Sequence, residues 1–258
     1  MEWIPFKNLW NIKTLVFNFA VANVRLRYRG TYLGVLWAAL EPLILFALLY
    51  VVFSNIKEIS KEDYAVYLIT GIMVYHIFIK GTNTGLGSLV NNSNILKSIK
   101  IEKEFFTTVS TGTTSILMLV TLGVFFALMP IFDFVPGITL VLLPIVLLLL
   151  LTLIQGVSYI LSIVNVYIRD IQQFWGIFSY ALIFVTPIFW YLEDVKGVLL
   201  TIHGINPLGQ LIEISHKIVF GEIPPIEEWI NVTVMIIGIF IVGFIIFKKS
   251  ESRIIEKL

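Results

Sequence analysis

Long apolar runs alternate with short polar segments along this chain, at 33–56, 64–82, 112–132, 138–164, 173–192 and 229–247. Each approaches the roughly 20 residues an α-helix needs to cross a hydrocarbon core of about 30 Å. The pattern predicts an all-α integral membrane protein with six transmembrane helices. Two runs are interrupted, 64–82 by His76 and Lys80 and 173–192 by Pro187 near its end. Before the first run, Phe6, Leu9, Trp10, Val16, Phe17 and Ala20 alternate with Asn8, Asn11, Asn18 and Asn23. That spacing predicts an amphipathic interface helix within residues 1–32, lying on the cytoplasmic membrane surface with Trp3 and Trp10 as anchors. The stretch 195–220 is too apolar for a solvated loop, yet Gly204-Ile205-Asn206-Pro207 breaks it and Glu213 and Lys217 interrupt it. It predicts a re-entrant helical hairpin before the last span, which lipid tolerates only where protein or a water-filled cavity covers the broken backbone.

Composition agrees with this pattern. Of 258 residues, 58% are apolar and 14% charged, with a mean hydropathy of +0.92, against roughly 25% charged in soluble domains. The net charge of +1 points to no nucleic-acid partner, and zero Cys removes disulfides, thiolate metal sites and a cysteine nucleophile. With both termini on the cytoplasmic side, every Lys and Arg except Lys57, Lys61, Lys196 and Lys217 falls on inner segments or at inner span ends. That is the asymmetry expected when basic loops are retained inside. The whole chain, 1–258, then reads as one transmembrane domain, with spans one to five within 33–192 and a cytoplasmic tail at 248–258. In the inner loop, Asn91-Asn92-Ser93-Asn94 predicts the start of a short polar helix running through Lys97, Lys100, Glu102 and Glu104, a docking surface.

Catalytic chemistry is not encoded in recognisable form. No G-x-x-x-x-G-K-[ST] motif exists to cradle phosphates, and Gly85-Leu86-Gly87 lacks the third glycine of a dinucleotide loop. His76, His203 and His216 are far apart and lack a second ligand at i+3 or i+4, so no metal site is expected. The hydroxyl residues serve better as helix caps or interhelical bonds than as nucleophiles.

Three polar or aromatic features stand out. Arg25, Arg27 and Arg29 precede the first span, interleaved with Tyr28 and Tyr32. They read either as positive-inside anchors or as guanidinium groups for a lipid pyrophosphate, whose oxygens match the bidentate fork of Arg. Glu41-Pro42 sits inside the first span, where a carboxylate is costly unless protonated, paired or facing water. As a lone acid it argues against a proton-coupled pump; it reads as facing a polar conduit or subunit interface, or as a structural pair. Aromatic residues gather on the second span (Tyr64, Tyr67, Tyr75, Phe78) and the fifth (Trp175, Phe178, Tyr180, Phe184, Phe189, Trp190, Tyr191). They are interfacial packing or an aromatic-lined path on which sugar C–H faces slide. Small-residue spacings at Gly30/Gly34/Ala38 and Gly81/Gly85 permit close helix approach.

The run from Arg25 to Trp37, RLRYRGTYLGVLW, followed by Glu41-Pro42, resembles the R-x-R-Y-[RK]-x-[TS]-x-L-G-x-x-W…P signature of the membrane subunits of ABC polysaccharide exporters. These are type-2 ABC exporters, including Wzm-type O-antigen permeases and the capsule and teichoic-acid exporters. Asn165-Val166-Tyr167-Ile168-Arg169-Asp170-Ile171 is similar to the family's N-x-x-x-R-D-[IL] turn. Weaker likenesses are Thr186-Pro187-Ile188-Phe189-Trp190, Asn206-Pro207, and the inner segment around Asn94–Lys97 and Glu104–Phe106. Many relatives carry Gln where Glu41 stands and Pro-Arg-Glu in place of Glu102-Lys103-Glu104.

The resemblance implies a homodimer joined by two copies of a separate cytoplasmic ABC ATPase, a two-plus-two heterotetramer in the bacterial inner membrane. ATP and Mg would bind the partner, leaving this chain without cofactor or catalytic residue. It implies export of a polyprenyl-pyrophosphate-linked polysaccharide, with Arg25, Arg27, Arg29, Glu41, Tyr75, Tyr180 and Trp190 as candidates for the lipid head or the sugar path. Lys97, Lys100, Glu102, Lys103 and Glu104 would couple to the ATPase, and the hairpin, with Asn206 and Pro207, would gate the outer mouth. Alternatives are a permease for teichoic acid, capsule, or a drug or lipid. An enzyme acting on the same lipid-linked sugar would have only Glu193-Asp194 and Glu227-Glu228 as candidate acids, and a standalone channel or secondary transporter would lack inverted repeats and intramembrane charge pairs.

Overall fold

The computed structural model describes residues 9–53, 61–98 and 101–257. Trp3, Phe6, Asn8, Lys57 and Lys100, which enter the sequence reading, lie outside them. The described residues form α-helices and 3-10 turns without a strand. In chain order the helices are α1 (Leu9–Arg27), α2 (Trp37–Phe53), α3 (Lys61–Leu86), α4 (Ser93–Ser98), α5 (Glu104–Leu128), α6 (Leu143–Tyr167), α7 (Ile171–Val185), α8 (Val198–Ile205), α9 (Pro207–Val219), α10 (Ile226–Ser250) and α11 (Ile254–Lys257).

Among the described residues, five helical stretches are long and apolar enough to cross a membrane: Gly34–Phe53, Asp63–Leu86, Glu104–Phe132, Ile138–Tyr167 and Ile226–Ser250. The fifth expected span differs. Helix α7 has 15 residues, about 22 Å at the α-helical rise. It stops because Thr186, preceding Pro187, is held in an extended conformation (φ −103°, ψ 147°). The rest of the expected span, as far as Tyr191, is non-helical.

Helix α5 also differs, beginning at Glu104 rather than near residue 112. Its first turns are rich in hydroxyl side chains, which the hydropathy pattern assigns to a loop. Thr108, Ser110, Thr111, Thr113 and Thr114 donate to carbonyls four residues back, satisfying themselves within the helix. The inner-loop helix α4 is correspondingly short, so Glu102 and Lys103 precede α5 and Glu104 opens it instead of continuing α4.

Helix α3 is the centre of the bundle, with 83% of its span buried against 22% for α2 and for α10. It packs against α2, α5, α6, α7 and α9. This explains why its run was interrupted by polar residues: a helix surrounded by protein can carry groups that find partners there. Glycine sets the close approaches. A Cβ on Gly85 would lie 2.0 Å from Ser158 Oγ, and one on Gly243 would lie 2.3 Å from the Gly156 carbonyl oxygen, so α3 meets α6, and α6 meets α10, nearly backbone to backbone. Gly30 and Gly34 have another role. Nothing lies within 4 Å of either, and both have positive φ (77° and 54°), so they turn the chain between α1 and α2 in a conformation glycine adopts without strain.

The two ends of the bundle are chemically distinct. At one end, hereafter the hairpin end, α8 and α9 are separated at Asn206-Pro207. The Asn206 side chain accepts from the Leu208 N–H (3.1 Å), and Pro207, which has no N–H to satisfy, opens α9. Helix α9 is buried along most of its length against α3, α6 and α10. His216 stacks on Tyr67 (ring centroids 3.7 Å apart), and its Nε2 donates to the Tyr67 carbonyl oxygen (3.0 Å). At the other end, hereafter the basic end, α1 packs on the first half of α5: Phe19 meets Phe105 edge-on, Ala20 lies against Gly112, and Val24 clusters with Ala38 and Leu117. The expected tail packs against the bundle through Ile254, which is fully buried in a cluster with Leu89, Leu96, Phe106 and Phe247.

Candidate functional site

A cavity of about 570 Å³ opens at the basic end between α1, α2, α3 and α5. Its walls are built by helix periodicity. His76, Lys80 and Thr84 are spaced four apart on α3, so they share one face. Glu41 faces them from α2, Arg27 and Tyr28 close the mouth from the end of α1, and Thr114 and Thr121 line the α5 side.

Glu41 is an ion-paired acid. Its Oε2 accepts from Lys80 Nζ and lies 3.2 Å from His76 Nε2. The expectation of a lone intramembrane acid, and of no intramembrane charge pair, is therefore corrected. The pair joins two helices, and nothing in the linear spacing of residues 41 and 80 reveals it. Arg27 Nη2 donates to Thr84 Oγ1 (3.0 Å), whose own hydroxyl donates to the Lys80 carbonyl (2.7 Å). One surface of the cavity thus carries the cations Arg27 and Lys80, with the His76 imidazole beside them, against a single carboxylate. Next to Arg27, burial pushes the Tyr28 hydroxyl above its ordinary value.

The position of Glu41 is set by the following residue. Pro42 removes the amide donor that would bond the Ala38 carbonyl, and the Thr121 hydroxyl of α5, which bonds the Leu117 carbonyl of its own helix at 3.1 Å, also lies 3.4 Å from that carbonyl. A proline inside an apolar helix is better tolerated where a neighbouring helix brings a donor within reach of the freed carbonyl.

Of the residues expected at a substrate site, Arg27 and Glu41 line this cavity, while Arg25 and Arg29 are exposed beside it. Tyr75 is buried, and its hydroxyl donates to the Ser179 carbonyl (2.6 Å), joining α3 to α7. Tyr180 is 78% exposed on the outward face of α7. Trp190 donates from Nε1 to the Phe184 carbonyl (3.2 Å), and its own carbonyl accepts from the Tyr67 hydroxyl (2.8 Å). Sequence reasoning missed His76, Lys80 and Thr84 as site residues. Their signal was present as three polar positions at i, i+4 and i+8, two inside the apolar run 64–82 and Thr84 just beyond it.

The expected coupling residues divide between two places. Lys97 is exposed on α4, whose Leu96 anchors it in the core. Lys103 Nζ donates to the Glu251 carbonyl, and Lys248 pairs with Glu104 (2.7 Å) and with Glu251 (3.4 Å). These contacts form a charged clasp between the start of α5 and the end of α10. A hydrogen bond shared with Glu104, together with burial, raises the Glu102 carboxyl above the usual carboxylate range. At the hairpin end, Asn231 donates to Gln210 Oε1 (3.2 Å), and Lys217 pairs with Glu228 (2.5 Å).

The ABC-2 type transporter family model matches residues 14–220. The chain is similar to two proteins of Klebsiella pneumoniae, each called O-antigen export system permease protein RfbA. Each is 24% identical, with 92% of this chain and 92% of the relative covered. A protein of the same name from Myxococcus xanthus is 21% identical over 98% of both chains.

Proposed function

The chain belongs to the ABC-2 type transporter family, and from that premise we propose that it is the permease subunit of an ATP-driven O-antigen exporter. Its substrate is a polysaccharide carried on polyprenyl pyrophosphate across the bacterial inner membrane. The observation that carries this reading is the cavity of Arg27, Lys80 and His76 at the basic end. It is a place for a phosphorylated head between helices whose outward faces are apolar. The names of the relatives support the choice of polymer.

In this reading α7 and the segment after it complete a sixth crossing, and both termini are cytoplasmic. Two copies assemble with two copies of a separate ATPase, which supplies the nucleotide site absent from this sequence. The groove beside α1, the segment around Lys97 and the clasp at Glu102, Lys103 and Glu104 receive that ATPase. The sugars pass between α2 and α7, where Tyr180 and Phe184 stand exposed, and the α8–α9 hairpin, broken at Asn206-Pro207, gates the outer mouth. Tyr75, being buried, holds α7 in place beside that path.

The test is co-expression with an ABC ATPase encoded beside this chain, purification through a tag on the permease, and assay of ATP hydrolysis with and without lipid-linked glycan. A stoichiometric complex stimulated by O-antigen lipid is expected. Replacing Arg25, Arg27 and Arg29 with Lys should impair export while leaving membrane insertion intact. Purification of the chain alone from every such pairing would overturn the reading.

A further inference from the structure

Lys80 and His76 converge on one oxygen of Glu41 within the cavity that the proposed function assigns to the lipid head. An ammonium on a membrane-spanning helix is favoured by a nearby anion even where it is half exposed to the cavity, as Lys80 is. Glu41 is that anion here. A phosphate entering between Arg27 and Lys80 would meet the carboxylate at the same cation, and two anions sharing one site repel. Either the newcomer is rejected or Glu41 leaves. The side chains of Glu41 and Lys80 are 44% and 46% exposed, which gives the carboxylate room to swing aside, while the Pro42 ring restricts the backbone next to it.

We infer that Glu41 is a specificity-determining residue that competes with the incoming lipid head for Lys80 and His76. It admits a pyrophosphate and turns away the singly charged phosphodiesters of bulk phospholipid. A pyrophosphate brings more negative charge and more acceptor oxygens than a carboxylate, so exchange favours it. A phosphodiester brings one charge, as Glu41 does, and gains nothing by the exchange. Selectivity then comes from a repulsive element placed against the abundant competitor. The inference rests on the reading of this cavity as the headgroup site.

The test uses the permease–ATPase complex in phosphatidylcholine nanodiscs with farnesyl pyrophosphate as probe, farnesol as the headless control and phosphatidylglycerol as the competing phosphodiester. Glu41→Gln should bind farnesyl pyrophosphate about tenfold more tightly, the scale of one relieved like-charge contact in a partly exposed site. Phosphatidylglycerol should weaken that binding in Glu41→Gln and leave the unaltered protein unaffected. Glu41→Asp, whose shorter side chain draws the charge back from Lys80, should shift both readings the same way and serves if the amide variant fails to fold. Unchanged or weaker binding in these variants, with Lys80→Gln still losing affinity, overturns the competition and leaves the headgroup site standing. Equal binding of farnesol and farnesyl pyrophosphate by the unaltered protein removes the headgroup reading, and the competition with it.

Discussion

The Thr121 hydroxyl is shared between the Leu117 carbonyl of its own helix (3.1 Å) and the Ala38 carbonyl (3.4 Å), the acceptor that Pro42 leaves without its amide partner. This bond ties α5 to the turn of α2 that carries Glu41. Thr121→Val should therefore cost about 1 kcal/mol of stability, the usual net worth of an interhelical hydrogen bond in a membrane protein. In a Pro42→Ala background the restored amide should make the same change nearly neutral. Thermal unfolding of the four proteins in detergent gives the coupling directly.

Helix separation is set by glycines at two crossings. Gly243→Ala would place a methyl group 2.3 Å from the Gly156 carbonyl oxygen, where only backbone movement can relieve it. A loss of about 2–3 kcal/mol is expected, in the range for overpacking a tight interface. Gly238 lies on the same helix with nothing within 4 Å, so Gly238→Ala should leave the melting temperature unchanged or slightly raised.

The non-helical segment after α7 is held by two tyrosines of α3. The Tyr67 hydroxyl lies 2.8 Å from the Trp190 carbonyl and 3.3 Å from that of Pro187, and the Tyr64 hydroxyl reaches the Phe189 carbonyl (3.3 Å). Tyr67→Phe keeps the ring on His216 and removes only these bonds. Hydrogen exchange should rise severalfold across residues 188–191, consistent with losing about 1 kcal/mol locally. Exchange in α6 should stay as it is.

At the basic end, Lys248 joins Glu104 to Glu251. Lys248→Ala should release α11 and the end of α10, seen as faster proteolysis there and as a lower ratio of transport to ATP hydrolysis in the assembled complex. The effect on global stability should stay below about 1 kcal/mol, because these ion pairs are partly exposed.

The Glu102 carboxyl adds a pH dependence of known sign. Its carboxyl is raised by the hydrogen bond shared with Glu104, so the folded state favours the protonated form. The resulting stabilisation is present below the ordinary carboxylate value and is lost as pH rises through the raised one. Glu102→Gln should make the clasp insensitive to that window and slightly tighter at neutral pH. Proteolysis of the C-terminal segment measured from pH 4 to 7 checks this.

How much of this could be read beforehand differs by residue. Hydropathy alone located α2, α6 and α10, because spans facing lipid or apolar neighbours must be apolar for their whole length. It misplaced the start of α5, where hydroxyls satisfied by their own helix look like a loop. It set the fifth span too long, although Pro187 signalled the stop. Of the two small-residue motifs, Gly81/Gly85 marks a helix contact and Gly30/Gly34 a turn. The letters are the same in both, and only the φ angles and neighbours separate them.

The sequence by itself determined the membrane class, the order of the helices, the helix break at Asn206-Pro207 and the likeness to polysaccharide exporters, all properties of contiguous residues. The tertiary structure decided what Glu41 does. A carboxylate on α2 and an ammonium on α3 meet only after α3 has taken the centre of the bundle, and no periodicity within either helix encodes that encounter. Burial sets the cost of each charge locally, but the partner that offsets it comes from a distant part of the chain.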